Sequence, residues 1–562
     1  MRSSKPRIIK QLLGKEVSLW GVEPSQYSVI ENRLGWLDAD KWMQDHVESI
    51  CDWVADTIEL PWLERIVLLG MGGSSLAPEV FSSVFPPKPG YPVLQVIDTT
   101  CPEQIKEAEG DLSRTLVIVS SKSGGTRETA DLCSYFFQKM EGLVDSPEDH
   151  FVVITDMGSQ LHEKAKKANF RKIFTNPTNI GGRYSALSYF GLVPAGLIGV
   201  DIKRLSNRVS EFCEEIRWSG EEVSTENIHH DAVKLGMIMG NAAKRGCNIM
   251  TLQTATSFRP LLVWIEQLIA ESTGKMGKGI VPAFEYQPPK SLQGENQDSP
   301  GELSMRMEMI AGNDQNASLL DNGASVNSAA CGELGTSLTW KLEDVYDLGA
   351  EFFRWEIATA VASIYLAINP FDEPNVSEAK SSTDLFINGK QKFEYRIDYE
   401  DAHYDVFLQG GTNDQVDSSL SGFANIYSHF LNNAVHHSYI GVLAYLPFSE
   451  QLDEKIKLLG NVLSEQSGLP VTLGYGPRYL HSTGQLHKGG PKSCSFIQLI
   501  DNATFDLDIP GRDYTFRELN RAQADGDFAV LESKGRSVMR ISLKVDRLSG
   551  LDQLISTISN EA

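Results

Sequence analysis

Cationic side chains are in short supply: Lys and Arg number 51 against 74 Asp and Glu, leaving a net charge of −23 over 562 residues. That balance opposes nonspecific binding to nucleic acid or to an anionic membrane surface, since both rest on a basic face. Neither is expected as a partner, and an anionic small molecule would have to meet a local basic pocket. The seven cysteines (Cys51, Cys101, Cys133, Cys213, Cys247, Cys331 and Cys494) are odd in number and scattered, without a Cys-x-x-Cys pair. This argues against a metal knuckle or dithiol redox site and fits a reducing cytoplasm. The pairs His229-His230 and His436-His437 have no metal-ligand spacing with nearby acids, so neither metal nor cofactor is expected. No uninterrupted apolar run reaches bilayer length. The longest, residues 186–200, is broken by Gly191, Pro194, Gly196 and Gly199 and reads as a buried core segment. The basic start, Met1-Arg-Ser-Ser-Lys-Pro-Arg7, is not followed by a signal-like apolar stretch, so secretion is not expected.

What is there is the composition of a globular protein of about two to four domains. From about residue 60, short β-rich runs alternate with amphipathic stretches: Ile66 to Leu69, Val93 to Ile97, Thr115 to Val119, Phe151 to Ile154 and Lys172 to Phe174. This βαβ rhythm predicts a parallel sheet covered on both faces, with ligands at the carboxyl ends of the strands. A second α/β unit is expected to open at Cys247 to Leu252 and to continue through 439–445, 471–473 and 495–500. Residues 289–337, rich in Gly, Asn, Asp, Ser and Gln, read as an exposed excursion. A long helix is expected from Asp344 to Ile368, stopping at Asn369-Pro370, and a helix, strand and helix from Thr515 to Ala562.

Two strand-to-helix turns share a composition. Gly70-Met-Gly-Gly-Ser-Ser-Leu-Ala-Pro78 follows the first strand and Ser120-Ser-Lys-Ser-Gly-Gly-Thr-Arg-Glu-Thr129 the third. Glycines let backbone N–H groups approach an anion, hydroxyls add donors, and a helix N-terminus adds a favourable dipole. The second turn has the makings of a phosphate cradle; the first serves equally well as a tight, closely packed turn. Neither is a dinucleotide fingerprint or a Walker loop. Farther on, an apolar helix from Leu261 runs into Glu271-Ser-Thr-Gly-Lys275. Gln267 and Glu271, four residues apart, share a face, while Leu261, Ile265 and Leu268 pack another. Glu271 is either a carboxylate held toward a ligand or an ordinary helix-end partner of Lys275.

Jointly, these segments resemble the glucose-6-phosphate isomerase family with its sugar-isomerase (SIS) fold. The second turn resembles that family's Ser-Lys-Thr-x-x-Thr phosphate loop, which implies that Ser121, Lys122, Ser123 and Thr126 hold a sugar phosphate, with Gly73 and Ser74 supporting the sugar. Gly181-Gly-Arg-Tyr-Ser185 resembles the family segment whose arginine, here Arg183, stabilises charge on the reacting carbons. Gln267-Leu-Ile-Ala-Glu271-Ser-Thr-Gly-Lys275 resembles the segment whose glutamate moves the proton. Asn369-Pro-Phe-Asp-Glu-Pro-Asn-Val-Ser-Glu-Ala-Lys380 places Lys380 in the active-site position, and Leu480-His-Ser-Thr-Gly-Gln-Leu-His-Lys-Gly489 carries the histidine. His481 fits the Leu-His-Ser form of that last motif and is preferred; His487 lies closer to the Gly-Gln-His form.

The resemblance implies an α/β protein of two three-layer αβα units of SIS type, with mainly parallel sheets and helical extensions. The expected divisions are an N-terminal helical extension over 1–60, a phosphate-cradle domain over 61–205, and a second domain over 206–514 with an insertion at about 289–400. A C-terminal helix-strand-helix segment covers 515–562. The implied activity is the aldose–ketose interconversion of glucose 6-phosphate and fructose 6-phosphate through ring opening and a cis-enediol, with Glu271 as base, in a cytoplasmic enzyme of carbohydrate metabolism and a possible homodimer. Alternatives are a noncatalytic sugar-phosphate-binding regulator and an isomerase of another phosphosugar such as mannose 6-phosphate. Two departures stand out. The order Glu271, Lys380, His481 differs from the usual glutamate, histidine, lysine and resembles the isomerase half of transaldolase fusions, which puts in doubt a histidine lent by a neighbouring subunit. Glu373 replaces a phosphate-contacting glutamine, and a carboxylate there needs a partner or must turn away.

Overall fold

The computed structural model describes residues 5–221, 231–254, 256–284, 302–309, 339–342, 344–391, 397–409, 422–434, 439–544 and 546–560. The histidine pairs at 229–230 and 436–437, and all but 302–309 of the 289–337 excursion, lie outside the described residues.

The first sheet contains β1 (Arg65–Gly70), β2 (Val93–Ile97), β3 (Thr115–Ser120), β4 (Phe151–Asp156) and β5 (Lys172–Asn176), all parallel, in the order β2-β1-β3-β4-β5. The continuous Val, Ile and Leu runs that announced these strands are buried on both faces, as a helix-covered parallel sheet requires. Ile66, Leu68, Leu116, Ile118, Val152 and Ile154 face one core, which they share with Trp20, Trp36, Phe81 and Phe190. The alternate residues Val67, Leu69, Val117, Val119 and Val153 face another, filled by Leu132 and Phe136 and by Phe516 and Leu519 from the C-terminal helix Phe516–Ser533. The strand order reverses direction between β1 and β3, and the crevice at such a switch point is the usual ligand site of an open parallel sheet. Both glycine-rich turns leave the sheet there, with Gly70 and Ser120 directly opposite one another in register.

A second sheet of six strands comprises β10 (Tyr399–Glu400), β11 (Tyr404–Gln409), β12 (Tyr439–Ala444), β13 (Val471–Tyr475), β14 (Cys494–Asp501) and β15 (Ser537–Leu543). The order is β10-β11-β15-β14-β12-β13; β13, β12, β14 and β15 are parallel, and β10 and β11 close one edge antiparallel. The C-terminal segment is therefore not peripheral, since β15 lies inside this sheet between β14 and β11.

One expectation is corrected. Strand β6 (Ile249–Thr254) does not join β12, β13 and β14. It pairs with Val281–Pro282, Glu302–Met309 and Thr339–Leu342 in a separate parallel sheet of four. A strand thus interrupts the stretch read as an exposed excursion. The long helix forms as expected, over Leu348–Leu366 behind a capping box on Asp344, and is buried along most of its length. The segment at 186–200 is the buried helix Tyr189–Leu197. Among the described residues no helix is long and apolar enough to cross a membrane. Cys51, Cys101, Cys133, Cys213 and Cys494 are free thiols, whereas Cys247 is disulfide-bonded, a departure from the all-reduced pattern expected of scattered cysteines.

Candidate active site

Glu271 occupies the last turns of the helix Leu261–Thr273 and is 7% exposed. The helical spacing puts Gln267 beside it, and the Gln267 Nε2 amide donates to Glu271 Oε2 at 3.1 Å and to the main-chain carbonyl of His481 at 2.8 Å. Lys275 is not its partner. That ammonium is buried against Asp372 Oδ1 at 2.8 Å and the Asn369 carbonyl at 2.5 Å. Burial, aided by the nearby Arg183 charge, pushes Lys275 down to about 8.

The cation on Glu271 is Arg183, whose Nη1 lies 2.9 Å from Glu271 Oε1. The rest of its guanidinium is held by the chain: Nε donates to Ser272 Oγ at 3.0 Å, and Nη2 to the carbonyls of Pro370 and Asp372, each at 2.8 Å. Nη1 also reaches Glu373 Oε2 at 3.2 Å. Glu373 is therefore paired, which accommodates a carboxylate where the resemblance led to glutamine. Burial disfavours the Arg183 charge, but Glu271 and Glu373 overcome this and raise its pKa. Burial pushes the Glu271 carboxyl above the usual range, against the pull of Arg183 and with the push of Glu373. A carboxylate poised upward by desolvation and held by a fixed cation is suited to take up and return a proton.

Glycines bring the parts together. A Cβ on Gly73 would lie 2.1 Å from the Gly182 carbonyl oxygen, so only glycine lets the first turn rest on the turn that carries Arg183. Gly72, at φ +56°, brings the same turn against His481, whose carbonyl oxygen would sit 2.7 Å from an added Cβ. Ser74 is buried, its carbonyl accepting from Ser120 Oγ at 3.0 Å. The first turn is thus a packing surface for the site.

In the second turn, Ser121 Oγ lies 3.3 Å from Thr126 Oγ1, and Ser123 Oγ accepts from the Gly125 amide at 3.2 Å. Thr126 precedes the helix Arg127–Glu141, whose N-terminus opens toward the cradle. The Lys122 ammonium pairs with Asp156 and donates to the Thr178 carbonyl at 3.1 Å. Burial lowers its pKa, opposed by Asp156.

His481 Nε2 lies 3.0 Å from Glu128 Oε1, in the first turn of the cradle helix. Burial disfavours the Glu128 charge, yet His481 overrides it and holds the carboxyl at about 2. Together with Gly125, Lys380 and Gln523, this pair lines a cavity of about 150 Å³, and Lys380 is exposed at it. Glu128 was not foreseen. Its only local signal is a carboxylate two residues beyond the last cradle hydroxyl, a position that also suits a helix dipole.

His487 does not belong to this arrangement. It is buried among Tyr439, Tyr479 and Phe496, with ring centroids 5.0 to 6.2 Å away, and neither ring nitrogen has a hydrogen-bond partner among the described residues. Burial lowers its pKa well below that of a free histidine. Of the two candidates, only His481 stands with Glu128 and Lys380.

The residues Arg183, Gln267, Glu271, Lys380 and His481 come from one chain. Residues 29–239 match the family model described as Phosphoglucose isomerase. A probable glucose-6-phosphate isomerase of Methanococcus maripaludis is 28% identical over 384 residues, covering 58% of this chain and 82% of its own. A glucose-6-phosphate isomerase of Rubrobacter xylanophilus is 27% identical over 390 residues, covering 60% and 86%. The crystal structure of a glucose-6-phosphate isomerase from Chlamydia trachomatis aligns over 69% of this chain and 87% of that one, with a TM-score of 0.50 at 19% identity, a likeness of fold. Over residues 29–239 the chain is thus similar to the phosphoglucose isomerase family, along most of the length of these two relatives it is similar in sequence to glucose-6-phosphate isomerases, and it shares the fold of the Chlamydia trachomatis structure.

Proposed function

We propose that this chain interconverts glucose 6-phosphate and fructose 6-phosphate in the cytoplasm. The observation that carries the reading is the buried Glu271 carboxylate clamped between Arg183 Nη1 and the Gln267 amide, with His481 bonded to that same amide. Ring opening breaks the C1–O5 bond: the O1 proton leaves and a proton arrives at O5, a transfer suited to His481 with Lys380 at the same cavity. Glu271 then takes the proton from C2 of the open aldose. Electrons move into the C1–C2 bond and onto O1, and the O2 and O1 protons rearrange through the cis-enediol. Return of the proton to C1 gives the ketose. As Glu271 becomes neutral the negative charge passes to the enediolate, so Arg183 keeps an anionic partner throughout. Ser121, Lys122, Ser123 and Thr126 hold the phosphate and supply binding energy remote from the reacting carbons. A homodimer of such chains would carry two sites, each with its own His481.

The test is a coupled assay of fructose 6-phosphate conversion. Glu271→Gln is expected to lower turnover by roughly 10²–10⁴-fold, the usual worth of a general base, with phosphosugar binding largely kept. Near wild-type turnover in that variant would sink the assignment.

A further inference from the structure

The C-terminal helix Phe516–Ser533 reaches the site by a row of hydrogen bonds that run in one direction. Asn520 Nδ2 donates to Thr100 Oγ1 at 3.1 Å, Thr100 Oγ1 donates to Gln523 Oε1 at 2.8 Å, and Gln523 Nε2 donates to Glu128 Oε1 at 2.8 Å. All four side chains are buried. Thr100 has a single proton, and because the Asn520 amide occupies it as an acceptor, that proton goes to the Gln523 oxygen. Gln523 must then present its NH2 to Glu128. The Glu128 oxygen that receives this N–H is also the one that His481 Nε2 meets at 3.0 Å.

We propose that Gln523 is a positioning residue that holds the ionised Glu128 carboxylate with Oε1 turned to His481 Nε2 and thereby fixes the tautomer of His481, with the proton on Nε2 and Nδ1 left to exchange protons with the sugar ring. An acceptor at Oε1 requires a donor at Nε2, so a neutral imidazole has its lone pair at Nδ1. No described residue is bonded to Nδ1, and the ring lines the cavity together with Gln523. The charged groups around the pair are Lys380 and Arg127 at the cavity, Asp384 on Arg127, and Asp98, whose carboxyl burial pushes up against the pull of Arg478. None supplies a donor to Glu128 Oε1 beyond Gln523 and His481. The idea rests on the isomerase reading, and it extends the site to a segment with no other role in it.

The test uses full-length protein and two readouts. In ¹⁵N-histidine NMR the wild type should show His481 protonated at Nε2, whereas Gln523→Leu should show a mixture of tautomers. In the coupled assay, loss of one hydrogen bond to a charged group should cost about tenfold in kcat at near-unchanged KM and displace the pH profile from that of the wild type. Thr100→Val, which releases the Gln523 amide, should act in the same direction, and Thr100→Ser should recover most of the loss. An unaltered tautomer and a coincident pH profile in folded Gln523→Leu and Thr100→Val would overturn the proposal. Wild-type protein that does not turn over fructose 6-phosphate would overturn the isomerase reading instead, since the NMR readout needs no turnover.

Discussion

Glu373 competes for the cation that serves the proposed base, and its removal has a calculable effect. Glu271 and Glu373 contact the same Arg183 nitrogen at 2.9 and 3.2 Å, so their carboxylate oxygens lie no more than about 6 Å apart. Glu373 is 44% exposed on its side chain, which places the interaction near the aqueous limit. Two unit charges about 6 Å apart in water interact by about 0.7 kcal/mol, equivalent to about half a pH unit. The sign follows from like charges: Glu373 raises the Glu271 pKa, so Glu373→Gln lowers it, and the base stays ionised to lower pH. The substitution also frees Arg183 Nη1 for an enediolate. Initial rates of fructose 6-phosphate conversion, coupled to NADP reduction by excess glucose-6-phosphate dehydrogenase, should show the acid limb of kcat/KM displaced downward by about half a unit, with KM lowered. An acid limb that stays put or moves upward would refute the reasoning.

Glu271→Gln should show the roughly 10²–10⁴-fold loss in turnover given above, a difference the same assay reads directly. His487→Phe should leave turnover intact, and a loss comparable to that of His481→Gln would contradict the site as drawn. Because His487 is held neutral by burial, the unfolded chain takes up a proton there below the ordinary histidine pKa of about 6.5, and stability falls as pH drops through it. Chemical denaturation of His487→Phe from pH 7 to 5 should therefore show a shallower decline than wild type. Gly73→Ala would drive a methyl into the Gly182 carbonyl and displace the Arg183 turn; calorimetry should record a lower Tm, and the assay a large loss of activity.

The first sheet was legible because its strands are buried on both faces and so read as continuous β-branched runs, with β2 matching its expected limits residue for residue. Sheet membership was not, because pairing is a long-range property: β6 looks like any buried strand, and nothing local separates it from β12. Glu302–Met309 was hidden by composition, since its apolar positions alternate as in a strand but are mostly methionine, inside a polar stretch. In the site, Gln267 and Glu271 were readable from helical spacing, and the cradle from its hydroxyls and glycines. Glu128 and Gln523 were not. Gln523 in an amphipathic helix looks like a solvent-facing residue, and only the approach of that helix to the first sheet makes it a buried donor.

Proton transfer between C2 and C1 by Glu271 is tested most directly by isomerising glucose 6-phosphate in D2O and locating the isotope by NMR. The account predicts deuterium at C1 of the fructose 6-phosphate formed, as proton caught by Glu271 exchanges with solvent, and near-complete loss of this incorporation in a folded Glu271→Gln that still binds phosphosugar. Incorporation at the wild-type rate in Glu271→Gln would contradict it.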